Sequence, residues 1–168
     1  MKLVHFSREP VVKVRTCARA DRMSSDGTGV GPKPRGFWVT DMDCEDNWLS
    51  WCRSESFGLE NLAHQQEVRL SPRAKILYLR NTMDIDLFTQ EHGAELHPGF
   101  GRQYINWKPI CREYQGIVIT PYIWQRRLDG GAFWYYGWDC ASGVIWDARA
   151  IDHLACVVEI AQEGKVAA

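Results

Sequence analysis

The chain has 168 residues, 45% of them hydrophobic, with eight tryptophans, which suits one globular domain rich in large aromatics that fill cores or line ligand sites. Twenty basic side chains against 21 acidic ones leave a net charge of −1, without the overall basic excess that phosphate neutralisation demands of nucleic-acid binders. No apolar run is long enough to span a bilayer, and His5 breaks the only apolar stretch near the start, so no signal-peptide core is read and a cytoplasmic location is expected.

Residues 1–160 read as a single α+β domain and 161–168 as a polar tail. The first strand is Lys2–Ser7. Its alternation places Val4 and Phe6 on one face and Leu3, His5 and Ser7 on the other. Val11–Val14 is a candidate continuation after Pro10. Residues 20–35 are rich in Gly, Ser, Asp and Pro and read as a flexible loop. The basic residues of this region (Lys13, Arg15, Arg19, Arg22, Lys33 and Arg35) are a candidate local basic patch; the plainer reading is a solvated loop. Gly27-Thr28-Gly29-Val30-Gly31 lacks the strand and helix that a dinucleotide fingerprint needs around it.

Gly36–Thr40 is a second strand, with Trp38 and Thr40 on one face. Asp43 is a candidate N-cap for a helix whose apolar side carries Trp48, Trp51 and Cys52. Glu67–Leu70 and Lys75–Leu79 read as strands, Ile85–His92 as a helix closed by Gly93, and His97–Arg102 as a loop. Ile105–Tyr114 holds a short helix with Pro109 early in it, and Gly116–Thr120 is the clearest strand. Asp129-Gly130-Gly131 is a turn signal before a strand at Ala132–Trp138. Gly143–Trp146 is a further strand, and Ala155–Ile160 a strand or last helix with Val157 and Val158 favouring strand. Strands outnumber helices without βαβ alternation, which predicts an α+β fold with a bent, mostly antiparallel sheet and peripheral helices. Six cysteines without a C-x-x-C pair read as reduced thiols, with Cys52, Cys111, Cys140 and Cys156 acting as small core residues.

Several groups stand out chemically. His5 and Ser7 share a strand face; the plainer alternative is a satisfied histidine on an edge strand. Trp38 beside Thr40 offers a stacking face and a hydroxyl, or else packs against the Trp48/Trp51 helix. Trp138-Asp139-Cys140-Ala141-Ser142-Gly143 sets a carboxylate and a hydroxyl among aromatics; the alternative is an Asx turn at a strand end. Glu113 is a competing carboxylate, or an exposed helix end. Arg126 and Arg127, after the Pro121-Tyr122 corner, are suited to phosphate or to the solvated rim.

The order of Leu3-Val4-His5-Phe6-Ser7, Gly36-Phe37-Trp38-Val39-Thr40 and Tyr114-Gln115-Gly116-Ile117-Val118-Ile119 resembles the ADP-ribosyltransferase-like fold, in its small, divergent phage and bacterial branches. The likeness covers most of residues 1–146. It implies an enzyme that cleaves NAD and transfers ADP-ribose to a macromolecular target, protein or nucleic acid, as a phage- or toxin-type effector in the (host) cytoplasm. No metal or membrane partner is expected. It implies that His5 contacts a ribose and Trp38 stacks on nicotinamide. Thr40 and Ser142 would orient the ligand, with Ser7 and Tyr122 also in the NAD-binding set. Family members carry a Glu on or just before the late strand. Here Val118 stands at the expected inward position, and Glu113 and Asp139 are the nearest carboxylates. The alternative function is a non-catalytic nucleotide- or protein-binding effector on the same scaffold, using an aromatic face of Trp124, Trp134, Tyr135 and Tyr136. A third possibility is a structural protein whose tryptophans are all core.

Overall fold

Strand pairing begins with the short alternating segments. In the computed structural model, which describes residues 1–21, 28–95, 101–155 and 158–159, β1 (Leu3–Ser7) lies between β3 (Phe37–Asp41) and β4 (His64–Leu70). The main sheet runs β10 (Ile151–Leu154), β4, β1, β3, β9 (Ser142–Ile145), β8 (Gly116–Ile119), β5 (Ile76–Leu79), and β11 (Val158–Glu159) also pairs with β4. All its neighbours are antiparallel except β5 and β8. A parallel pair needs a long crossover. Here residues 80–115 supply it, with α2 (Thr82–His92) and α3 (Trp107–Glu113). Within the crossover, β6 (Gly93–Glu95) and β7 (Gln103–Asn106) join β2 (Val30–Gly31) in a small second sheet. The expected α+β domain with a bent, mostly antiparallel sheet is therefore present, the sheet curling as a half-barrel.

The two sheet faces carry separate cores. Ile117, Ile119 and Val144 pack on one side with Ile85, Phe88, Trp107, Trp134, Tyr135 and Trp138. Leu3, Val39, Val68 and Val118 pack on the other with Phe37, Leu70 and Tyr78. Gly143 lets β9 lie close against β8, because a Cβ there would sit 2.6 Å from the Ile117 carbonyl oxygen.

Several expectations are corrected. Residues 130–137 form a 3₁₀ helix rather than a strand. The burial of Trp134, Tyr135 and Trp138 beside exposed Tyr136 follows a helical turn, not alternation, and the Asp129 carboxylate accepts from the Gly131 N–H to start it. The first helix, α1 (Trp48–Glu55), is capped by Asn47 and not by Asp43. Asn47 Oδ1 accepts from the Ser50 N–H at 3.0 Å. Val11 extends no strand, since its N–H and C=O bond the Gln66 side-chain amide at 2.7 and 3.0 Å. The 20–35 loop contains β2, and its ends are tied where the Arg35 N–H donates to the Ala20 carbonyl at 2.9 Å. Cys17, Cys44, Cys52, Cys111 and Cys140 are free thiols. Residues 22–27, Cys156 and the expected polar tail 161–168 lie outside the described residues, as does most of the His97–Arg102 loop. Among the described residues no helix is long and apolar enough to cross a membrane.

Candidate functional site

β1 pairs with β4 all the way to Ser7↔His64, but with β3 only at Leu3↔Asp41 and Val4↔Thr40. The two strands part after Val4. A cavity of about 350 Å³ opens there, walled by Val4 and Phe6 of β1, Trp38 and Thr40 of β3, and Asp139, Cys140 and Ser142 at the approach to β9. His5, Val39, Lys33, Trp48 and Asn61 complete the lining.

His5 sits at the parting. Its Nδ1 lies 2.7 Å from the Trp38 carbonyl oxygen, and its ring stacks on Phe37 with 4.1 Å between centroids. A carbonyl only accepts, so Nδ1 carries the proton and the neutral ring keeps Nε2 as an acceptor. Burial pushes the imidazole below its ordinary pKa, opposed by the bond to Trp38.

Asp139 stands between two cations. Lys33 Nζ is 4.0 Å from its Oδ2, and Arg127 Nη2 is 3.9 Å from its Oδ1. Both separations are ion-pair distances too long for hydrogen bonds. All three side chains are about 30% exposed, so each pair contributes no more than about 1 kcal/mol. Lys33 Nζ also lies 5.2 Å from the centre of the Trp38 ring, whose neighbour is Trp138 at 5.2 Å. Burial lowers the Lys33 pKa and the Asp139 charge opposes that shift. Burial pushes the Cys140 thiol up to about 12, which leaves it a neutral wall group rather than a nucleophile.

The other expected residues divide. Thr40 faces the cavity, but its hydroxyl donates to the Ala141 carbonyl at 2.7 Å and accepts from the Trp48 N–H at 2.9 Å. That hydroxyl holds β3, the approach to β9 and α1 together. Ser142 donates to the Cys140 carbonyl at 3.0 Å and keeps lone pairs to accept with. Tyr122 is buried under Trp124 and Tyr135, and among the described residues its buried hydroxyl has no hydrogen-bond partner. Asp139, Cys140 and Arg127 are among its electrostatic neighbours, and burial raises its pKa. Ser7 lies with His5 on the opposite face of β1 from Val4 and Phe6 and does not line the cavity, and among the described residues its buried hydroxyl has no hydrogen-bond partner.

Glu113 is the exposed last residue of α3. It precedes the Gly116 end of β8, whereas the cavity adjoins Ser142, which pairs with Ile119 three residues on, roughly 10 Å along the strand. The structure does not bring Glu113 to the cavity. Nor does Val118 face it: the pairings Thr40↔Ser142 and Ile119↔Ser142 put Ile117 and Ile119 on the cavity side. Asp139 is thus the one carboxylate among the cavity-lining residues.

Lys33, read from the sequence as part of a solvated basic loop, lines the cavity instead; its loop has no periodicity to mark it. The signal was Pro32-Lys33-Pro34, two fixed backbone angles around one cation. The adjacent arginines separate cleanly: Arg126 is bound to Asp86 by two bonds of 2.6 Å, and Arg127 faces Asp139. Of the proposed aromatic face, Trp134 and Tyr135 are fully buried, and only Trp124 and Tyr136 are exposed. No protein-family model, curated protein or solved structure matches this chain.

Proposed function

We propose that the cavity where β1 and β3 part is a site for NAD and that the chain is an ADP-ribosyltransferase-like enzyme. One observation carries the reading: an aromatic face (Trp38) and a single carboxylate (Asp139) converge on one cavity, and His5, bonded to the Trp38 carbonyl where the strands part, borders it. The resemblance of the three strand motifs points the same way. In this reading the bond between the ribose C1′ and the nicotinamide nitrogen breaks, and its electron pair leaves with neutral nicotinamide. The ribose becomes oxocarbenium-like, Asp139 stabilises that positive charge, and a nucleophile on the macromolecular target attacks C1′ and loses its proton. His5 Nε2 accepts from a ribose hydroxyl and Trp38 provides the stacking face. Thr40 acts through the wall it holds rather than on the ligand.

A second reading is favoured by the two cations beside Asp139, since a neutralised carboxylate stabilises developing positive charge poorly. In that case the chain binds the nucleotide without turning it over. Isothermal titration with NAD, paired with nicotinamide release over hours, separates the two in wild type, His5→Ala and Asp139→Asn. Binding with release in wild type, and binding without release in Asp139→Asn, supports the enzyme. Binding without release in wild type favours the second reading. No binding at millimolar NAD sinks both.

A further inference from the structure

We propose that the ligand of this cavity is recognised through a diphosphate, with Lys33 and Arg127 as its two anchoring cations and Asp139 as the group from which the phosphates displace them. The inference rests on the nucleotide-site reading for the rest of the ligand, but its own basis is separate. Two cations flank the one carboxylate of the cavity lining. Lys33 lines the cavity itself, whereas Arg127 stands outside the lining and reaches it through Asp139; the nearby Asp46 also stands outside it, its Oδ2 accepting from the Trp124 indole at 2.9 Å.

Neither cation is spent. Among the described residues, neither Lys33 Nζ nor the Arg127 guanidinium has a hydrogen-bond acceptor, and their separations from Asp139 are 4.0 and 3.9 Å. Partly buried N–H donors in that state favour an anion with strong acceptor oxygens. The cations address different oxygens of one carboxylate, so an anion with two neighbouring acceptor groups meets both. Their placement is built in. The Lys33 stem runs past Gly137, where a Cβ would come within 3.2 Å of Lys33 Cε. Pro32 is fixed beside it by the Trp138 indole at 3.3 Å. Arg127 lies over the Trp124 ring at 5.5 Å. Phosphate binding then takes both cations from Asp139 and leaves its charge free to act on the ribose.

The test measures affinity for NAD, ADP-ribose, nicotinamide riboside and inorganic pyrophosphate at low salt. It uses the whole chain as wild type, Lys33→Met, Lys33→Arg, Arg127→Met and Arg126→Met, each checked for folding by thermal melting. ADP-ribose and pyrophosphate are expected to compete with NAD, and nicotinamide riboside to bind at least tenfold more weakly. Lys33→Met and Arg127→Met should each weaken NAD at least tenfold and leave nicotinamide riboside unchanged. Lys33→Arg should stay within about threefold of wild type, and Arg126→Met should match it. If Lys33→Met does not fold, the Lys33→Arg and Arg127→Met pair decides. Nicotinamide riboside binding within twofold of NAD, or undiminished NAD affinity in both Met variants, overturns the inference while the NAD site stands. Lys33-dependent pyrophosphate binding without NAD binding upholds phosphate recognition and ends the NAD reading. Failure of all four ligands to bind overturns both.

Discussion

Replacing Thr40 by valine keeps the shape of the side chain and removes one hydroxyl, and that hydroxyl serves two partners at once. It donates to the Ala141 carbonyl at 2.7 Å, 101 residues away in sequence, and accepts from the Trp48 N–H at 2.9 Å. The Ala141 oxygen retains a bond from the Asp41 N–H at 3.2 Å, so losing the Thr40 donor costs about 1 kcal/mol. The Trp48 amide at the start of α1 loses its acceptor, again about 1 kcal/mol. A methyl group cannot remain 2.7 Å from an oxygen, and the adjustment adds on the order of 1 kcal/mol. Thr40→Val is therefore expected to destabilise by about 3 kcal/mol, or roughly 6–12 °C in Tm for a chain of this size. Thr40→Ser keeps both bonds and loses one methyl, costing about 1 kcal/mol. Urea unfolding of the three proteins, with an unchanged slope and shifted midpoints, measures the difference. Equal stability of the Val and Ser variants would refute a structural role. A Val variant as stable as wild type but unable to bind NAD would make Thr40 a ligand contact instead.

Trp134→Ala should lose about 3–5 kcal/mol, because the ring is fully buried and its indole N–H donates to Thr89 Oγ1 at 2.8 Å. Tyr136→Ala, on an exposed ring of the same 3₁₀ helix, should stay within about 0.5 kcal/mol; comparable urea midpoints for the two variants would contradict this assignment of core and surface. Burial lowers the His5 pKa, so the unfolded chain binds more protons than the folded one as pH falls through the ordinary histidine range. The His5 contribution is therefore complete above that range and is lost as pH drops through the lowered value. The urea midpoint should fall more between pH 8 and pH 5.5 in wild type than in His5→Gln, and parallel pH profiles would be the contrary result.

What the sequence determined by itself was local. The alternation in Leu3–Ser7 and Phe37–Asp41 and the short β-branched runs of Gly116–Ile119 and Ser142–Ile145 made these segments strands wherever they were placed, and the apolar spacing in Thr82–His92 made a helix. His5, Trp38 and Asp139 were legible as unusual residues, and they line one cavity. Local pattern failed where a neighbour distant in sequence decided the outcome. Residues 130–137 are aromatic enough for a strand, yet became a 3₁₀ helix because Trp134, Tyr135 and Trp138 all turn into the core formed with α2 and α3. The short strands β2 and β6 exist only because β7 between them supplies their hydrogen bonds. The equivalent-looking Arg126 and Arg127 diverged because Asp86 of α2 lies beside one and Asp139 beside the other. Thr40 became a wall group because the Ala141 carbonyl and the helix-start amide reached its hydroxyl first. Side-chain period fixes which way a residue points along its own strand. Which strands lie next to it, and where two of them part, depends on burying both sheet faces and satisfying every backbone group at once. That tertiary balance separated β3 from β1 after Val4 and placed a loop lysine beside a carboxylate more than a hundred residues away.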